Sequence, residues 1–435
     1  MPYPGDEIYA LAQRLFPLCR SLTGNGVRET LRILSDYLPL RMHEVPSGTR
    51  AFDWTVPAEW NIRDAYVREV NGPKVIDFQQ NNLHVLGYSV PTRCVLPLER
   101  LQEHLYSDPE HPEAIPYATS YYTPRWGFCL SENQRRKLRD TEYECVIDST
   151  LEPGNLTYGD WVIPPSSKKE PGEILLTSYI CHPSLANNEL SGPCVLAYIA
   201  RWLLHTPHRY AYRIVFAPET IGALVYLSRH LKKLRQNVIA GFNLSCIGDD
   251  RGYSYVESRN GGTLADRVAD NYLRLNVPTY TKYSFLDRGS DERQYCAPGV
   301  DLPYVCLCRS KFNTYPEYHT SLDNMNLISP TGLQGGYEMV KSCISAIENN
   351  KIYTIQCTGE PQLGKYGLYP TLSSHMEHRA FDSKTLLNAL AYMDGSRDLL
   401  SISDIIGCSM NILAPLAETL RQYGLVTCSN SPLPQ

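Results

Sequence analysis

Basic charge is not in excess in this chain. Against 46 Asp and Glu stand 41 Lys and Arg, a net charge of −5 at pH 7 and a pI near 6.1. That balance lacks the positive footprint by which proteins hold nucleic acid or anionic membrane, so neither partner is expected. Long apolar runs are also missing. The longest, Cys194 to Leu204, contains Arg201 and falls well short of the roughly 20 residues a membrane span needs. The opening stretch MPYPGDEIYALAQRLF has no basic segment ahead of an apolar core, so it is not expected to act as an export signal. No CxxC pair occurs among the 14 cysteines. Several, such as Cys194, Cys246, Cys306 and Cys343, sit in apolar runs and read as buried reduced thiols of a cytoplasmic protein. Cys306 and Cys308 would share one strand face, and a zinc role for them is disfavoured. There is no internal repeat and no low-complexity tract.

What is present is an ordinary globular composition, 43% hydrophobic and 20% charged over 435 residues, long enough for two or three domains. Residues 7–38 read as two helices around a SLTGNG turn. From about 46 to 160, aromatic and β-branched residues fall in short runs split by Pro and Gly, an all-β pattern. From 172 to 350 the pattern alternates. Strands are expected at Ile174–Ile180, Tyr212–Ala217, Val238–Cys246 and Leu302–Cys308. Helices are expected at Gly192–Leu204, Ile221–Leu231, Leu264–Leu273 and Pro330–Asn349. Continuous apolar strands between amphipathic helices imply an α/β domain, its mostly parallel sheet covered by helices on both faces. After a short link at CTGEPQLGKYGLYP, three short helical segments between 380 and 425 suggest a small helix-turn-helix module. The expected domains are thus an α/β core of residues 1–45 and 146–355, a β-rich insert over 46–145, and a winged-helix-like unit over 360–435.

Ligand sites in open α/β sheets lie beyond the carboxyl ends of the strands. His182 and Asn188 follow the first expected strand, Glu219 the second, and Ser245, Asp249 and Asp250 the third. Asp291 and Glu292 precede the fourth, and His319 follows it. A lone histidine is usually structural, but several loops delivering polar groups to one edge imply a site. Glu219 could instead cap the following helix, and Asp291 could pair with Arg288 or Arg293. The Tyr- and Trp-rich stretch YATSYYTPRWGF is expected to pack a β core rather than line a substrate wall.

The order of these residues resembles the zinc aminopeptidase-like superfamily of leucine aminopeptidases and glutaminyl cyclases. His182 stands where the superfamily's first metal-binding histidine follows a central strand. Asn188 stands three residues before Ser191-Gly192, where the superfamily has a metal-bridging aspartate. Glu219-Thr220-Ile221-Gly222 corresponds to its Glu-Glu-x-Gly, and Asn243-Leu244-Ser245-Cys246-Ile247-Gly248 to its Asn-Leu-Asp-Met-x-Gly. Ser290-Asp291-Glu292 corresponds to Ser-Asp-His, and His319-Thr320-Ser321-Leu322-Asp323 matches His-Thr-x-x-Asp intact. The segments ICHPS, PETIG and YHTS, with the β-rich insert and the tail, resemble more closely an aminopeptidase-like subfamily of bacterial polysaccharide and secondary-metabolite gene clusters.

The resemblance implies an aminopeptidase/phosphorylase-like fold and a metal-dependent amide or peptide-bond hydrolase. Its substrate would be small, amino-acid-like or amino-sugar-like, and part of a biosynthetic pathway. Glu219 would be the general base. His182, His319 and Asn188 would hold the metal, with Asp249 or Glu292 as other third ligands, and Asp249, Asp291 and Glu292 would face substrate. Asn188, Thr220 and Ser245 are neutral where a two-zinc site needs carboxylates, so one divalent ion, zinc by its ligand types, is expected rather than two. A site without metal stays open. So do intramolecular aminolysis or acyl transfer, a non-catalytic binding protein, and a homo-oligomer. In the tail, 5 basic residues against 7 acidic ones give −2, favouring a packing or dimerisation module over DNA binding.

Overall fold

A computed structural model describes residues 3–167, 172–368 and 383–430. Glu377, Arg379 and Asp382, counted in the tail's charge, and the end of the 357–370 link lie outside the described residues. The expected strands form the middle of an eight-stranded sheet. Across it run Arg41–Pro46, Asn155–Ile163, Ala211–Ala217, Glu173–Tyr179, Val238–Leu244, Tyr304–Cys308, Ser254–Val256 and Thr281–Tyr283. The four from Ala211–Ala217 to Tyr304–Cys308 are parallel; antiparallel pairings flank them. EILLTSY, VIAGFNL and YVCLC are buried at every position, as central strands must be when both faces are covered. Helices Pro4–Leu15, Ser191–Leu204, Leu264–Asn276 and Pro330–Asn349 pack together on one face. Ile221–Asn237 and the insert cover the other. Each fully buried aliphatic side chain in these layers, such as Leu176 or Leu196, contributes roughly 1.5–3 kcal/mol over an exposed one.

Strand pairing moves two expected boundaries. The insert's sheet is Lys74–Asp77, Glu59–Glu69, Glu142–Glu152 and Thr92–Pro97, so the insert continues past 145. Its strand Glu142–Glu152 keeps one alternating burial pattern through most of its length, then turns through Pro153-Gly154 into the core strand Asn155–Ile163. At the other end Lys351–Ile355 pairs with Asp394–Asp398 and Val426–Asn430, so the tail begins about 351 rather than 360. Tail helices Leu399–Ile406 and Met410–Gln422 bury Leu400, Ile402, Leu413, Leu416 and Leu420 in the core's own cluster. Arg267 adds a two-pronged bond to Asp398. Among the described residues no single helix is long and apolar enough to cross a membrane; these two tail helices pass that test only jointly, bent by 119°. All the cysteines are free, most of them buried.

Candidate active site

The site forms where the chain reverses its order across the sheet. From Glu173–Tyr179 the chain crosses to Ala211–Ala217 on one side, then to Val238–Leu244 on the other. The carboxyl ends of these neighbours leave the crevice that such a switch opens. Four non-glycine residues in the bordering loops hold positive φ: Ser184 (44°), Thr220 (62°), Cys246 (49°) and His319 (55°). Such conformations cost about 1–3 kcal/mol each and persist where surrounding structure imposes them. Here it does. Thr220 N–H donates to Asp291 Oδ1 at 2.8 Å. The His319 carbonyl accepts from Tyr117 N–H at 2.8 Å.

His182 is fixed from behind. Its Nδ1 lies 2.9 Å from Glu189 Oε2, and Arg20 donates Nε–H to the His182 carbonyl at 3.0 Å. Arg20 Nε is also 3.4 Å from Glu189 Oε1, with both side chains 0% exposed. Since that N–H is directed at the carbonyl, the contact with Glu189 is charge pairing. Burial, then the charge of Arg20, lowers His182 to about 3. The ring is therefore neutral, its proton on the nitrogen facing Glu189 and its lone pair on Nε2. Burial also pushes the Glu189 carboxyl up, while Arg20 and the backbone N–H groups of His182 and Cys181 oppose that rise. Cys181, His182 and Glu189 form a compact trio of possible ligand types. With Nδ1 of His182 bonded to Glu189 at 2.9 Å, Nε2 is the ring nitrogen left to face the crevice.

The Ala186–Leu190 segment is one π-helical turn, a device concentrated at functional sites. Asp323 organises it, accepting the N–H groups of Ala186, Asn187 and Asn188 and the Tyr315 hydroxyl. That accounts physically for the closing aspartate of the His-Thr-x-x-Asp run. Asn188 gives its Nδ2 to Tyr179 Oη at 2.8 Å, and Tyr179 donates to the Asn188 carbonyl at 2.8 Å. Ser245 Oγ then completes the Tyr179 hydroxyl at 2.6 Å. Asn188 Oδ1 and His319 Nε2 are left buried with no hydrogen-bond partner among the described residues. The rings of His182 and His319 lie 5.3 Å apart, each touching Tyr117, at 5.0 and 5.1 Å. Glu219 Oε2 stands 3.9 Å from His182 Nε2. Burial first, then the carboxylate of Asp291, raises Glu219 well above its ordinary value; burial likewise raises Asp291. Burial, then His182, lowers His319 to about 3. Neutral imidazoles, an unpaired amide oxygen and carboxylates raised by burial are donor types that suit a divalent cation.

The remaining expected site residues are placed differently. Asp249 is buried and satisfied by Asn187 Nδ2, the Ser310 N–H and hydroxyl, and the Arg251 N–H. It shapes the loop and has no oxygen to offer a substrate or metal. Glu292 turns back onto the N–H groups of Gly289 and Ser290, leaving only a buried Oε2 unpaired. Asp291 does approach Glu219, but through Thr220, and no ion pair among the described residues joins it to Arg288 or Arg293. Aromatic residues of the 117–128 stretch divide between roles. Phe128 is buried in the core, while Tyr117 packs on both histidines and Tyr121 and Tyr122 wall a cavity beside Glu219. The insert also pairs Pro116 with Thr320, and so braces the His319 loop. Sequence order does not single out Arg20, Glu189, Tyr117 or Tyr179 as site residues. Glu189 directly follows Asn188, which is a usable signal, but its partner Arg20 comes from the turn between the first two helices.

Residues 9–350 match a family described as a domain of unknown function (DUF4910), and 351–428 match a winged helix-turn-helix. A Clostridium acetobutylicum protein, provisionally named for polysaccharide biosynthesis with an aminopeptidase-like domain, is 43% identical over 97% of this chain and 96% of its own. A crystal structure from the same species, provisionally titled a peptidase, superposes with a TM-score of 0.90 at 41% identity, covering 98% of this chain and 96% of that one. The zinc aminopeptidase BSAP of Bacillus subtilis shares the fold, with a TM-score of 0.57 at 13% identity over 79% of this chain and 95% of its own.

Proposed function

The chain belongs to the family matched over residues 9–350, an aminopeptidase-like fold with a C-terminal winged helix, and on that premise we propose that it is a metal-dependent amide hydrolase. Its substrate is small, amino-acid-like or amino-sugar-like, and belongs to a biosynthetic pathway, as the name of the C. acetobutylicum relative suggests. One observation carries the reading: Asn188 Oδ1 and His319 Nε2 are buried without partners among the described residues, the His319 ring lies 5.3 Å from that of His182, and the His182 Nε2 that Glu189 leaves free stands 3.9 Å from the Glu219 carboxylate.

His182, His319 and Asn188 would hold one ion. When bound, zinc supplies Lewis acidity toward an amide carbonyl. Two positions that would serve a second ion are neutral and already bonded. Ser245 is committed to Tyr179, and Thr220 Oγ1 accepts from Arg293. Glu219 takes the proton from the attacking water and returns it to the leaving amine, a general acid–base role for which a carboxylate raised by burial is suited. Tyr117, packed on both imidazoles, keeps their faces dry. The test is turnover of a panel of aminoacyl amides by zinc-loaded protein. Glu219→Gln keeps shape and is expected to lose about 10²-fold or more in kcat with zinc content unchanged. Undiminished turnover in that variant would sink the base assignment. Wild-type protein that binds the panel without cleaving it would favour the binding-protein reading, and products joined to an amine rather than to water would favour acyl transfer.

A further inference from the structure

Beside Glu219 lies a cavity of about 230 Å³ with walls drawn from both the core and the insert. Leu22, Trp54, Tyr121 and Tyr122 supply its apolar and aromatic surface, and Arg293 is the single cation among its lining residues. This space is below the roughly 300–1,000 Å³ that holds a whole drug-sized ligand. It suits one side group of a substrate rather than a long polymer.

Arg293 is exposed, and its state contrasts with other arginines of the molecule. Arg213 grips Glu173, Arg251 grips Glu317 and Arg267 grips Asp398, each with two N–H groups. Arg293 has no carboxylate within ion-pair distance among the described residues; its hydrogen bond goes to the neutral Thr220 Oγ1. The neighbouring acids feel its charge, but their hydrogen bonds go elsewhere, Asp291 to the Thr220 N–H and Glu292 to Gly289 and Ser290. A guanidinium fork is thus left beside the proposed base. The planar group it matches in two-pronged fashion is a carboxylate. Trp54 and Tyr122, 41% and 49% exposed and edge-on at 6.0 Å, offer ring faces to whatever carries it.

We propose that Arg293 and this aromatic wall form the subsite for a carboxylate-bearing group, so that the substrate is an acidic amide with a ring or apolar face next to its carboxylate. The proposal rests on the hydrolase reading of the same site, and its test requires no turnover. Calorimetry on the zinc-loaded full chain would compare 3-phenylpropanoate with 3-phenylpropanol, which share a ring and differ in the anion. The acid is expected to bind about tenfold tighter, the order of one charge-assisted hydrogen-bonded contact at an exposed site. Arg293→Gln should erase that preference and Arg293→Lys should keep part of it; exposure of the side chain leaves packing undisturbed by either change. Equal binding of acid and alcohol overturns the proposal, as does failure of the acid to bind wild type at millimolar concentration. A preference that survives Arg293→Gln also overturns it, because the carboxylate then sits on the metal. Failure of the hydrolase reading shows instead in the Glu219→Gln turnover, with the acid preference intact.

Discussion

Glu189 offers the sharpest separation between holding the fold and holding the site. Its carboxylate is fully buried between the Arg20 guanidinium and His182 Nδ1. Glu189→Gln retains an acceptor for the imidazole N–H but removes the charge that Arg20 faces. A guanidinium that is 0% exposed and unpaired costs about 3–5 kcal/mol, a large share of the about 5–15 kcal/mol by which domains are stable. Arg20 keeps its bonds to the His182 and Leu15 carbonyls, which places the loss at the lower end. The double change Arg20→Met with Glu189→Leu removes both charges, and replacing a buried pair by apolar side chains is commonly neutral. That variant should regain most of the stability. It should not regain metal affinity, because at Nδ1 only the weak Cys181 Sγ contact at 3.4 Å then remains among the described residues to fix the His182 tautomer, and losing such an outer partner as Glu189 costs about 10–100-fold in affinity. The assays are urea midpoints at unchanged slope and zinc competition with a chromogenic chelator. A Glu189→Gln loss below about 1 kcal/mol, or full zinc affinity in the double variant, refutes the reasoning.

Asn188→Asp places an anion at a buried, unpartnered oxygen and should raise zinc affinity in the same competition assay without necessarily raising turnover. Glu59 is raised by burial, but bonds from Arg28, the Asn155 N–H and Asn61 outweigh that and bring it down to about 2. Its folded pKa lies below the unfolded one, so its stabilisation is complete above about 4.5 and is lost as pH falls toward about 2. Urea midpoints measured across that window should fall, and should fall less steeply in Glu59→Gln. The tail should not bind duplex DNA: Arg421 is the only basic residue of helix Met410–Gln422, and it is paired with Glu418 at 2.6 Å. A mobility shift of the full chain that weakens with salt would contradict this.

The parallel strands were legible because burial on both faces leaves an uninterrupted apolar run such as YVCLC, which few other contexts tolerate. Position beyond the strands' carboxyl ends made His182, Asn188, Glu219 and His319 readable as candidates. Side-chain direction was not legible in the same way. Asp249 sits at the right end of the right strand, yet a local bond to the Arg251 N–H and a distant one from Asn187 turn it into the loop. The aromatics of the insert read as core because local pattern cannot tell a Tyr that packs on a neighbouring strand from one that packs on a distant histidine, as Tyr117 does on His182. Neutral residues at the family's carboxylate positions were visible as a deficit of negative charge. Where the remaining charge went was not. Glu189 and Arg20 cancel one another behind His182, so neither contributes net charge at the ligand atoms. The groups that do face the crevice are neutral imidazoles, an amide, Glu219 with Asp291 behind it, and Arg293 at the cavity wall. On the proposed reading two carboxylates would offset one divalent ion, and Arg293, whose charge acts on Glu219 and Asp291 without an ion pair among the described residues, would still have its N–H groups to offer the charge of a substrate.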